Sequence, residues 1–432
     1  MMRNKILGYF LFLIGVINAE SFLGYKVYQV TPQTQENAEF LQKLKYKPNY
    51  DFWVESRAFG SPSDIMVDPV EQETFEKELS QTGMPYKVVV DDVERLLQID
   101  RVDRLMTRSR SIMGPGQVTF TSFMKYDEQM AYLRRIGRDY PQIATVTTAG
   151  HSYEGREILM VKISSGASQT VVPKPTIFID AGIHSREWIA QPVALYLIQQ
   201  LVENNTNAGM YQNVDWVIIP NLNPDGYEFT YNNNRMWRKN RRLEGNNLCY
   251  GTDLNRNFNY QWMFNGASNN SCTEIYAGPE PFSEPETRII RDWFLNNTNA
   301  NVKLYMAVHS FGEMVLFPWG YAPILPQDVA TLRHVGSLMA RAIEQASTMG
   351  SNYTVENSAT LLGAAAGAAD DWVKAVANVN LTYTLELPNG DAPFWFMIPA
   401  RQILPVVRET FEGFRALHQY IQEQFWTSQQ QS

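Results

Sequence analysis

Residues 181–188 read Ala-Gly-Ile-His-Ser-Arg-Glu-Trp and directly follow the apolar run Thr176-Ile177-Phe178-Ile179-Asp180. A short apolar run of this kind predicts a buried strand, and the periodic apolar residues of 188–201 predict a helix after it. In open α/β sheets ligands bind in the crevice beyond the carboxyl ends of the strands. A helix beginning near Arg186 would leave His184 in the turn and put Glu187 in the first helical turn, close enough to share one ion.

Working outward, the segment from about residue 111 alternates strand and helix patterns. Thr176–Asp180, Trp216–Ile219, Leu304–Val308 and Leu381–Leu385 are predicted strands, and Trp188–Leu201, Glu284–Phe294, Val329–Ala346 and Ile403–Phe425 predicted helices. Such alternation predicts an α/β fold with a mixed, mainly parallel central sheet flanked by helices. Before it, Tyr25–Val30 and Tyr86–Val90 alternate as strands while Glu71–Leu79 and Asp92–Leu97 have helical spacing, predicting a small α+β open sandwich over residues 20–110. This unit ends in an arginine-rich connector, Arg101 to Arg110, followed by Gly114-Pro115-Gly116. Exposed basic segments of that kind are sites of proteolytic nicking.

Residues 1–19 place Arg3 and Lys5 before the apolar stretch 6–17 and end at Ala19, the layout of a secretory leader too short to span a bilayer. Export suits the two cysteines, Cys249 and Cys272, which are expected to bond in an oxidising compartment and contribute roughly 3 kcal/mol. Glycosylation acceptor patterns occur at Asn204, Asn269, Asn296, Asn352 and Asn380. The formal charge of −8 argues against a nucleic-acid partner, which would want a basic face. No second apolar run points to a membrane, and the chain is expected to act as a monomer.

A catalytic zinc wants three protein ligands and an open position, commonly two histidines and a glutamate. Of the five histidines, His309 also ends a predicted strand. His334 and His418 lie in helical runs and His151 in a polar turn, where surface or packing roles are expected.

With these residues in place the chain resembles the secreted zinc carboxypeptidases of the digestive A/B type in their proenzyme form. The resemblance is carried by the motif at 181–188, by Pro220-Asn221-Leu222-Asn223-Pro224-Asp225-Gly226-Tyr227, by Arg235-Met236-Trp237-Arg238-Lys239, by Asp253-Leu254-Asn255-Arg256-Asn257, by His309-Ser310, by Asp371-Trp372 and by Glu386. It implies one zinc per chain held by His184, Glu187 and His309, with Asp253 behind a zinc-bound histidine. It further implies Glu386 as general base, Arg238 at the oxyanion, and Asn255 with Arg256 reading the terminal carboxylate of a peptide substrate. Arg186 would be a subsidiary contact, and Cys249 would bond Cys272. The N-terminal unit would be an inhibitory prosegment, released by a trypsin-like protease near Arg108 or Arg110.

Two departures stand out. Gly363 occupies the place of a mobile tyrosine that closes over substrate in the family, and Phe311 replaces another tyrosine. Asp370 aligns with the floor of the specificity pocket, which leans the reading towards substrates ending in lysine or arginine, with apolar or aromatic ends as the alternative. Its competing role is an N-cap for a helix beginning at Trp372. A weakly catalytic peptide-terminus binder is the other class of function the missing tyrosine leaves open.

Overall fold

The structure is a computed structural model and describes residues 21–55, 60–111, 114–166, 173–245, 249–390 and 394–427. The expected leader at 1–19 lies outside the described residues.

Among the described residues twelve strands form two sheets. Strands β1 (Lys26–Val30), β2 (Tyr50–Val54), β3 (Ser63–Val67) and β4 (Tyr86–Val90) make an antiparallel sheet in the order β2-β3-β1-β4. Alternation sorts its side chains onto two faces. Tyr28, Val30, Ile65 and Val67 meet the helices Gln35–Leu44 and Gln72–Gln81 on one face, through Leu41, Phe75 and Leu79. The intervening Val27 and Met66, with Trp53, pack on the opposite face against Met236, Trp395 and Phe396 of the larger unit. The small sheet is thus an open sandwich whose second cover is the rest of the protein.

The expected helix Asp92–Leu97 runs much further, over Val93–Arg110. Asp92 caps it by accepting from Glu94 N, and Arg108 and Arg110 suit the negative pole of its last turn. Tertiary contacts sustain the extra turns. The Arg104 guanidinium stacks over Trp188, and Arg108 donates to Glu128 Oε2 at 3.1 Å.

The second sheet contains β5 (Ala144–His151), β6 (Glu157–Ile163), β7 (Thr176–Ala181), β8 (Asp215–Ile219), β9 (Val302–Ser310), β10 (Met314–Phe317), β11 (Thr354–Asn357) and β12 (Leu381–Leu387), ordered β11-β10-β12-β9-β7-β8-β6-β5. The centre, β12-β9-β7-β8, is parallel, whereas β6 pairs antiparallel with both β5 and β8. Central parallel strands are covered on both faces and read as continuous apolar runs, and all six residues of β7 are buried. Helices Tyr126–Asp139, Ala190–Val202, Val329–Ala346 and Ala400–Gln422 cover one face. Helices Pro285–Asn296 and Ala369–Ala375 cover the other. Among the described residues no helix is long and apolar enough to cross a membrane.

Three local expectations need correction. The helix after β7 begins at Ala190, so Glu187 lies in the turn before it. Pro192 explains the late start: it sits in the first turn, where its missing N–H costs nothing. His151 closes strand β5 and is exposed, because its neighbours pair with β6. The short helix near Asp370 begins at Ala369 behind Ala368, so Asp370 is inside its first turn and is not a cap.

Candidate active site

The functional side chains gather at the carboxyl ends of β7, β9 and β12. After β7 the chain turns through Gly182, whose φ of +72° favours glycine and where a Cβ would stand 2.5 Å from Gln191 Nε2. The following turn is tied to the loop 235–240: Asn223 Nδ2 donates to Ile183 O and to Lys239 O, each at 3.1 Å, and Ser185 N donates to Arg238 O at 3.0 Å. The asparagine of the 220–227 motif thus locks two site loops together.

Into this corner His184, Glu187 and His309 project, all buried. His184 Nδ1 lies 2.9 Å from Glu187 Oε1, His309 Nδ1 lies 3.1 Å from Glu187 Oε2, and the two Nδ1 atoms are 3.1 Å apart. Two imidazole nitrogens facing each other so closely need something between them or a proton. Three ligand atoms spaced this way match the edges, about 3.3 Å, of a tetrahedron around zinc. Asp253 Oδ1 accepts from His184 Nε2 at 3.1 Å, which fixes the tautomer and leaves Nδ1 for a metal. The donor set therefore fits zinc.

Charges around the corner are finely set. Burial would raise the Glu187 carboxyl, but the facing His184 and His309 outweigh it and hold it well below the usual carboxylate range. Asp253 is likewise lowered in spite of burial, by Arg238, Arg256 and His184. Arg238 reaches it with Nε at 3.2 Å and Nη2 at 3.0 Å. Glu386 stands beside His309 in the β9–β12 register. Burial pushes its carboxyl up to about 8, with His309 opposing.

One cavity of about 540 Å³ is lined by His184, Arg186, Glu187, Arg238, Asn255, Arg256, Asp370 and Glu386. His309 immediately precedes Ser310 in its wall, and Asp253 lies beneath. Every site residue expected from the sequence is therefore in or against one place. Arg256 is braced by Gly266 O at 2.8 Å and Asn255 O at 2.9 Å, and Asn255 Oδ1 accepts from Ala369 N at 2.9 Å. Cys249 and Cys272 are bonded, with Cα atoms 5.1 Å apart.

Sequence reasoning missed the groups that close this cavity. Strand β2, at the edge of the small sheet, lays Asp51, Trp53 and their neighbours over its mouth. Asp51 grips Arg186 through two contacts, 2.5 Å to Nη1 and 3.1 Å to Nη2. The motif Tyr50-Asp51-Phe52-Trp53-Val54 offered one signal, an acid facing the same way as Trp53. Breaking one partner of a buried ion pair costs about 3–5 kcal/mol. Supplied as a separate fragment after cleavage, residues 20–110 carrying Asp51→Ala should inhibit the trimmed enzyme at least about 100-fold more weakly than the native fragment. Equal inhibition constants would remove Asp51 from the clamp.

Gly363 follows the helical turn Ser358–Leu361 with φ of +88°. The next residues are pinned, Ala365 N to Gly320 O and Ala366 N to Asn265 O, both at 2.8 Å. A tyrosine placed here would be strained and would not recreate a swinging loop. Gly363→Tyr should lose about 1 kcal/mol of stability with no gain in substrate affinity. A thermal melt and KM values check both halves. Phe311 packs edge-on against Phe396 with centroids 4.8 Å apart, so the aromatic contact persists without a hydroxyl.

With this geometry in view, comparison with known proteins is direct. Residues 129–413 match the zinc carboxypeptidase family, and residues 28–99 match the carboxypeptidase activation peptide. The chain belongs to the zinc carboxypeptidase family and is a metallocarboxypeptidase proenzyme. It is 38% identical over 403 residues to carboxypeptidase B of Helicoverpa zea, covering 91% of this chain and 93% of that one. It is 30% identical over 397 residues to zinc carboxypeptidase A 1 of Anopheles gambiae, covering 91% and 88%. The crystal structure of carboxypeptidase A from Helicoverpa armigera superposes with a TM-score of 0.89 at 32% identity, covering 94% of this chain and 99% of that one.

Proposed function

We propose that His184, Glu187 and His309 hold the zinc and that the protein removes basic residues from peptide carboxyl termini. The observation that carries this is the convergence of those ligands, Glu386, the Asn255–Arg256 pair and Asp370 on one cavity. Bound zinc lowers the pKa of a water molecule and polarises the scissile carbonyl. Glu386 takes the proton of the attacking water and returns it to the leaving amine, a task suited to a group poised near neutral pH. Arg238, held by Asp253, donates to the oxygen on which negative charge develops. Arg256 and Asn255 donate to the terminal carboxylate, which is what limits cleavage to the last residue. Arg186, once free of Asp51, is a further contact for substrate.

Asp370 supports the basic preference. It is buried beside apolar wall residues such as Leu316 and Leu361, and among the described residues no basic side chain pairs with it. Its Oδ2 accepts from Thr384 Oγ1 at 3.3 Å, and burial raises its carboxyl. A lysine or arginine side chain entering the pocket supplies the missing cation.

Residues 1–19 act as a secretory leader, 20–110 as the prosegment and 111–432 as the catalytic domain, a monomer in solution. A trypsin-like protease cuts after Arg110, which is exposed at the helix end, in preference to Arg108, which is engaged by Glu128. Trimming with trypsin and offering peptides ending in lysine, leucine or phenylalanine tests the reading. Release of lysine at least about 100-fold faster, abolished by a chelator, is expected. Zinc content without release would instead indicate a peptide-terminus binder, and leucine or phenylalanine released faster would reverse the pocket.

A further inference from the structure

Behind the cavity lies a second group of buried polar residues. In register, Asp180 pairs with Ala307, Thr382 with Tyr305, and Glu386 with His309. Alternation along the strands then puts Asp180, Tyr305, His309 and Thr382 on one face of the sheet. All four are buried. Among the described residues His309 Nε2 has no hydrogen-bond partner, and the Asp180 carboxylate has none besides the Tyr305 hydroxyl that acts on it. Burial raises the Asp180 carboxyl, and Tyr305 and His309 are the side chains that oppose it most.

Orphaned buried polar atoms are uncommon, and His309 Nε2 next to the under-satisfied Asp180 carboxylate calls for a cause. A site lined by two to four polar groups suits a buried water. A water between Asp180 and His309 would accept from His309 Nε2–H and donate to an Asp180 oxygen, while the Tyr305 hydroxyl acts on Asp180 directly.

We propose that Asp180 is a positioning residue for the metal site: held by Tyr305 and acting through one buried water, it takes the hydrogen bond of His309 Nε2–H and so presents Nδ1 as the ligand atom. Asp253 does the same directly for His184, at 3.1 Å. Outer partners of this kind orient the ring and raise its basicity. The inference rests on reading His309 as a zinc ligand.

Full-length protein carrying Asp180→Ala, Asp180→Asn or Tyr305→Phe tests it, with zinc affinity measured by competition against a chelator of known strength. Asp180→Ala should weaken zinc binding about 10–100-fold, the usual cost of losing such a partner. The cobalt-substituted variant should show an altered visible spectrum, while its metal-free form melts no lower than native. Asp180→Asn keeps an acceptor oxygen and should recover most of the affinity. Tyr305→Phe should weaken binding several-fold, and it serves as the arm that decides if Asp180→Ala does not fold. Native zinc affinity together with a lower metal-free melting temperature would overturn the proposal and leave Asp180 a core residue only. His309→Ala separates the two claims, because unchanged zinc affinity in that variant refutes the ligand set itself.

Discussion

Glu386→Gln in the trimmed enzyme is expected to lower kcat by about 10²–10⁴-fold while zinc content and KM stay close to native. Glutamine preserves the shape of the side chain but cannot take a proton from water. The position of Glu386 makes the expectation strong. It shares a register level with His309 on the adjoining strand, which puts its carboxylate beside the ligands, and burial raises its affinity for the proton it takes. A loss confined to KM would assign Glu386 to binding, and activity within tenfold of native would remove it from the chemistry.

The second large effect concerns the pocket. Asp370→Ala should reduce kcat/KM for peptides ending in lysine by about 10²–10³-fold and change it less than about tenfold for those ending in leucine. Truncating one partner of a buried charge pair costs about 2–5 kcal/mol, much of it from the cation left unpaired. Apolar side chains never use that charge. Equal losses on both peptides would mean that Asp370 supports the pocket wall without reading the substrate.

Much of this was legible in the sequence because the chemistry is local or sits at strand ends. His184 and Glu187 share one turn and His309 ends an apolar strand, so the local pattern located them, whereas Glu386 was identified through the family resemblance. Other features depend on pairings that no local pattern reports. The late start of the helix at Ala190 follows from Pro192, yet the apolar period from Trp188 onward reads as helix without interruption. The helix Val93–Arg110 continues past its apolar turn because Arg104 and Arg108 find Trp188 and Glu128 in a distant part of the chain. Strands β10 and β11 have four residues each, too few for alternation to register. The grip of Asp51 on Arg186 spans 135 positions and becomes visible only when the two units are docked. Asp180 did leave a trace, a carboxylate closing an otherwise apolar strand, but its meaning emerges only with Tyr305 and His309 beside it.

The catalytic and regulatory features meet in one arrangement. The activation segment places an acid on Arg186 and aromatic residues over the cavity, while the ligands beneath are already within bonding distance of a common point. On the proposed reading, cleavage would have to uncover the site and would not have to build it.

The most direct test is anomalous diffraction at the zinc edge from crystals of the trimmed enzyme. The account predicts a single strong peak about 2.0–2.2 Å from His184 Nδ1, His309 Nδ1 and a Glu187 oxygen, with Glu386 facing it. A peak held by any other residues, or none at all in enzyme that still releases terminal residues, would contradict it.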